Sequence, residues 1–138
     1  MSSCGRHIFV VDDNADNRAV LARRLVRRGY RVSEAASGEE FLASLDGTTD
    51  APDLVLLDLM MPGLGGLGVL ARLRQREPTR DLPVIVVSAA GEDAAVVEAL
   101  RQGANDYVNK PVNFEVLVAR IETHLRVRDG METIRAQR

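Results

Sequence analysis

The sequence predicts a three-layer, doubly wound α/β fold, and three observations carry that expectation. Short continuous apolar runs recur along the chain. Segments whose apolar residues have helical spacing lie between them, and glycine and serine punctuate the places where helices should stop and start.

The runs are HIFVV (7–11), a weaker YRVSEA (30–35), LVLL (54–57), PVIVV (83–87) and DYV (106–108). Unbroken apolar runs of this length read as strands buried on both faces. Leu21, Leu25 and Val26 after the first run, and Phe114, Leu117, Val118, Ile121 and Leu125 after the last, form stripes that belong on helices packed against a sheet. Gly29 and Gly103 follow helical stretches where a left-handed cap is wanted, and Ser37 can cap a helix beginning near Gly38. The pattern amounts to five βα units. Strict alternation of this kind gives a parallel sheet with right-handed crossovers and helices on both faces. Ligands in such sheets sit at the carboxyl edge of the strands.

The 138 residues suffice for one domain with its own core. With 28% charged residues, 46% apolar residues and a net charge of −2, composition points away from disorder and from bulk attraction to nucleic acid. Cys4 is the sole cysteine, so no disulfide within the chain and no thiolate cluster can form. No run approaches the roughly 20 apolar residues that span a bilayer, and the start lacks a signal-like pattern, so a cytoplasmic location is expected. The text turns polar and arginine-rich toward the end, which sets the expected organisation as a domain over 1–126 and a polar helical extension or linker over 127–138. So short a segment cannot form an output domain; the sequence reads either as a stand-alone regulator or as one part of a larger protein.

Asp12 and Asp13 end the first run and Asp58 ends the third, so a parallel sheet brings three carboxylates to one edge. An aspartate after a strand is most often a turn former or helix cap. Three that converge are different, because close like charges are costly unless a cation neutralises them, and oxygen donors without His or Cys favour Mg²⁺ or Mn²⁺. Ser88 ends the fourth run and Lys110, the only lysine, follows the fifth. A hydroxyl and an ammonium at that edge complete an anion site of the kind that neutralises a phosphoryl group in transfer.

These residues resemble the receiver domains of two-component signalling, whose single-domain archetype is the chemotaxis response regulator. The resemblance covers residues 7 to about 126, through VVDDN, LLDLMMPGLGG around Asp58, VVSAAG around Ser88 and GANDYVNKPVNFEVL. It implies a flavodoxin-like sheet of order 2-1-3-4-5. It also implies that Asp58 is the phosphoacceptor, Asp13 a direct Mg²⁺ ligand, Asp12 a ligand acting mainly through water, and the Met60 carbonyl a further ligand. Ser88 and the Ala89 N–H would each hold a phosphoryl oxygen and Lys110 would pair with the group. Ser88 and Tyr107 would move inward together on phosphorylation, with Lys110-Pro111 a family Lys-Pro step that tends to be cis. The donor would be a histidine kinase or phosphotransfer protein, and the output would leave through the face of residues 92–126.

Other residues read more plainly. Gly63, Gly65, Gly66 and Gly68 form a flexible βα loop, not a nucleotide fingerprint, and Gly65 departs from an acidic residue common in the family. The resemblance places Met60 and Ala90 at positions that tune phosphoryl lifetime in the family, and neither offers a polar group to orient water. His7 and His124 read as histidines satisfied by local hydrogen bonds. Arg23, Arg24, Arg27 and Arg28 read as a solvated helix face, with kinase docking as the sharper alternative. Two rival readings compete with this one: a phosphatase forming an aspartyl-phosphate, which needs a second acid where Asn14 stands, and a pseudo-receiver that docks without phosphorylation, whose usual mark is loss of the acidic residues kept here.

Overall fold

A computed structural model describes residues 5–136, with side chains as far as residue 130. Cys4 and the side chains of Met131 and Ile134 lie outside the described residues. The elements alternate as the runs predict: β1 (His7–Val11), α1 (Ala15–Arg27), β2 (Arg31–Ala35), α2 (Gly38–Leu45), β3 (Leu54–Asp58), α3 (Gly65–Gln75), β4 (Val84–Ser88), α4 (Asp93–Arg101), β5 (Asp106–Asn109) and α5 (Phe114–Ala136). A single 3₁₀ turn at Glu77–Thr79 precedes β4.

All four pairings are parallel and the order is β2-β1-β3-β4-β5. Strand side chains alternate between two cores. Phe9, Val55, Leu57 and Val86 pack with Phe41, Leu70, Leu73 and Val96 under α2, α3 and α4. Ile8, Val10, Leu56 and Ile85 pack with Leu25, Leu117 and Ile121 under α1 and α5. Burying an aliphatic side chain of this size contributes roughly 1.5–3 kcal/mol, so the two layers hold the sheet from both sides.

Burial on both faces holds for β1, β3 and β4 but not for β2 and β5, whose residues are largely half-buried or exposed. Those two strands are the sheet's edges and are covered less completely. The helix boundaries follow local chemistry. Ser37 accepts from the Glu40 N–H at 3.0 Å at the start of α2, and Gly29 and Gly103 stand at φ of 98° and 108° just past α1 and α4.

The glycine-rich segment corrects its sequence reading as a loop: Gly66 and Gly68 lie inside α3, which begins at Gly65. A Cβ on Gly66 would come within 2.7 Å of both the Asp58 carbonyl oxygen and the Leu59 Cα. The missing side chain is what lets α3 start hard against the end of β3, where Asp58 stands. At the far end of the chain, α5 continues to Ala136, and the Arg6 guanidinium holds Asp129 through two contacts of 3.0 Å.

Candidate functional site

The carboxyl edge of the sheet gathers the acidic residues through register. β1 and β3 pair directly, so Asp12, one residue past Val11, and Asp58, the last residue of β3, come out side by side. Asp12 and Asp58 are buried while Asp13 is exposed, and one carboxylate oxygen from each lies within 4.8 Å of the others. Asp12 is held on both its side chain and its main chain: its Oδ1 accepts from the Asn14 N–H at 2.9 Å and its carbonyl from Arg18 of α1 at 2.7 Å.

Asp58 is 3% exposed. Lys110 reaches it from beyond β5, Nζ to Oδ1 3.4 Å, and the Met60 N–H donates to the same oxygen at 3.3 Å. Burial pushes the Asp58 carboxyl up and the nearby Asp12 charge adds to this, against the pull of Lys110 and the Met60 N–H, leaving it at about 6. Three carboxylates against the one Lys110 ammonium leave the site short of positive charge. Its side-chain donors are all hard oxygens, a set that fits Mg²⁺ or Mn²⁺.

The hydroxyl side of the site is built by β4 and β5. Ser88 is buried, pairs in register with Asn109, and donates its hydroxyl to the Asn109 Oδ1 at 3.1 Å. The Lys110 N–H bonds the Ser88 carbonyl at 2.7 Å, which fixes the lysine's backbone at the edge, and the Lys110-Pro111 bond is cis. The Ala89 N–H donates to Glu92 Oε1 at 2.7 Å. A cavity of about 490 Å³ opens beside Asp58 and Lys110, running between Leu21 and Arg24 of α1 and Pro111 and Phe114 at the start of α5.

Of the other singled-out residues, Arg24 lines that cavity. Tyr107 points outward at 38% exposure. His124 hydrogen-bonds Asp106 at 3.0 Å, the local satisfaction expected of it, whereas His7 meets that expectation only in part: its Nε2 bonds the Ser33 hydroxyl at 2.7 Å while its buried Nδ1 has no hydrogen-bond partner among the described residues. The α1 arginines are exposed, with Arg24 and Arg28 lying over the Phe114 ring at 4.4 and 5.3 Å.

Residues 8–122 match the family model described as the response regulator receiver domain. The chain belongs to that family. Among curated relatives of this receiver domain, the transcriptional regulatory protein AfsQ1 of Streptomyces coelicolor is 43% identical, with the match covering 86% of this chain and 51% of that protein. The phosphate regulon transcriptional regulatory protein PhoB of Pseudomonas aeruginosa is 38% identical over 88% of this chain and 52% of its own length. The chain thus spans about half the length of these relatives. Among solved structures, the receiver domain of NtrX from Brucella abortus superposes with a TM-score of 0.79 at 34% identity, covering 86% of this chain and 98% of that one. Among the described residues no helix is long and apolar enough to cross a membrane.

Three contacts of this receiver domain escaped sequence reasoning: Arg18 on the Asp12 carbonyl, Asn109 on the Ser88 hydroxyl, and Glu92 on the Ala89 N–H. Asn109, adjacent to Lys110 and opposite Ser88 on a parallel strand, could have been found by aligning β4 with β5. The other two depend on loop geometry that no periodicity encodes.

Proposed function

We propose that this receiver domain accepts a phosphoryl group on Asp58 from the phosphohistidine of a kinase or phosphotransfer protein in the cytoplasm, with Mg²⁺ bound, and that the change is read out through the face of residues 92–126. Residues 1–126 are the signalling unit in this reading and 127–138 its helical extension. The observation that carries it is the buried Asp58 carboxylate with Lys110 at 3.4 Å and the oxygens of Asp12 and Asp13 beside it.

An Asp58 oxygen forms the bond to phosphorus while the phosphorus–nitrogen bond to the donor histidine breaks, the electron pair leaving with the imidazole nitrogen. Lys110 stands ready to pair with the incoming phosphoryl oxygens, and the Ser88 hydroxyl and Ala89 N–H are the neutral donors for the others. Asp12, Asp13, Asp58 and the Met60 carbonyl would hold Mg²⁺, which when bound supplies the positive charge that offsets repulsion between carboxylate and phosphoryl oxygens. Transfer of Ser88 from Asn109 to a phosphoryl oxygen, followed by inward movement of Tyr107, is the switch. The intact acidic set argues against docking without phosphorylation.

Intact mass after incubation with acetyl phosphate or phosphoramidate tests this. The expected result is a gain of one phosphoryl mass that requires both Mg²⁺ and Asp58 and is absent from Asp58→Ala. Absence of an adduct from either donor, together with absence of Mg²⁺ binding, would sink the mechanism.

A further inference from the structure

The turn between β4 and α4 closes on itself. The Glu92 N–H donates to the Ala89 carbonyl at 3.3 Å while the Ala89 N–H donates to the Glu92 carboxylate at 2.7 Å. Gly91, at φ 88°, supplies the left-handed step that folds Glu92 back over Ala89. Glu92 is the residue immediately before α4, and its side chain makes no capping bond to that helix.

A backbone N–H has one proton to give, and a charge-assisted bond to a carboxylate is among the stronger ones it makes. On the reading of Asp58 as phosphoacceptor, the same proton is the donor for a phosphoryl oxygen. Two anionic acceptors repel and cannot share it. We infer that Glu92 is a resident competitor for the Ala89 N–H, a carboxylate gate that an incoming phosphoryl group must expel.

Two consequences follow from its position. The competitor lowers the affinity of the site for a phosphoryl group and so sets a threshold for activation. Its expulsion also releases the residue that opens α4, so that occupancy of the site is felt at the first turn of that helix without any movement of Asp58.

The test uses beryllofluoride, which mimics a phosphoryl group on a carboxylate, titrated in Mg²⁺ into the wild type, Glu92→Ala, Glu92→Gln and Asp93→Asn, with amide NMR spectra and calorimetric affinity as readouts. Removing the competitor in Glu92→Ala should tighten binding by about tenfold, the scale of one charged hydrogen bond made available to the ligand. Glu92→Gln keeps an acceptor oxygen without the charge and should fall between; being the milder change, it carries the test if the alanine variant folds poorly. Asp93→Asn removes a like charge one residue on and should leave affinity unchanged. Before ligand is added, the Ala89 amide proton should move upfield in Glu92→Ala. Unchanged or weaker binding by Glu92→Ala overturns the gate, as does equal tightening by Asp93→Asn, which would reduce the effect to general charge. Failure of the wild type to bind beryllofluoride at all overturns the reading of Asp58 and the gate with it.

Discussion

Lys110 Nζ stands 3.4 Å from Asp58 Oδ1, yet this one cation does not balance the charge of the site. Burial and the neighbouring Asp12 still lift the Asp58 carboxyl from 3.8 to about 6. The folded protein therefore holds a proton on Asp58 more tightly than the unfolded chain does. Stability falls as pH rises through the window between those two values and remains lower above it. Asp58→Asn abolishes this penalty. In metal-free protein it should be more stable than the wild type by about 2 kcal/mol at pH 8, with the difference closing below pH ~4. Urea denaturation at the two pH values measures it, and equal stability at pH 8 would refute the account.

Gly66 gives a steric prediction. A methyl group there meets main-chain atoms of Asp58 and Leu59, which cannot move aside as a flexible side chain can. Gly66→Ala should cost about 2 kcal/mol and shift the amide resonances of Leu59 and Met60. At Gly68 the obstacle is the partly buried Leu64 side chain and not main chain, so Gly68→Ala should cost less, about 1 kcal/mol. Thermal melts of the two variants separate the cases; similar losses would mean that the close approach at Gly66 is not what limits the site.

Gly66 also marks where sequence reading stops. The three central strands were legible because a strand between two helical layers must be apolar along its length, the edge strands β2 and β5 showed more weakly, and Asp12, Asp58 and Ser88 were conspicuous because each breaks an apolar run at its carboxyl end. Parallel register then brings them together with no further information. What stayed hidden depends on tertiary approach. Gly66 and Gly68 look like loop residues until α3 is seen to start against β3, and Arg18, Asn109 and Glu92 are ordinary polar residues until a turn or a neighbouring strand brings them to the site. The exposed edges of β2 and β5 follow from strand order, which apolar runs alone do not reveal.

On the α5 side of the sheet, Asp106 carries a second charge prediction. Burial raises its carboxyl, but hydrogen bonds from His124, the Tyr107 N–H and Arg120, with the Arg120 charge, overcome this and hold it below its ordinary value. A lowered carboxyl contributes stability that is present above the unfolded value of about 4 and is lost as pH falls through the folded value. Asp106→Asn should therefore be destabilised by about 1 kcal/mol at pH 6, and that deficit should shrink as pH falls below the unfolded value of about 4. Denaturation midpoints across this range decide the matter. A deficit that persists unchanged into acid would assign the effect to packing instead of charge.

Arg74 of α3 ties together segments far apart in sequence. Its guanidinium donates to the Gly103 carbonyl at 2.8 and 3.1 Å, to the Thr79 carbonyl at 3.1 Å and to the Asn105 Oδ1 at 3.0 Å. That same Asn105 oxygen accepts from the Val84 N–H at 2.9 Å, where β4 begins. Arg74→Met keeps the apolar stem but removes these bonds, and since water can reach most of the acceptors it should cost about 1–2 kcal/mol. Arg74→Lys should recover little of it, since one ammonium cannot span carbonyls that a planar fork reaches together. The loss should be local before it is global: amide exchange should quicken at Val84 and Ala104 while Ile8 and Leu56 in the central strands stay protected. Uniform quickening across the sheet would instead make Arg74 a contributor to global stability with no special hold on the turn between α4 and β5.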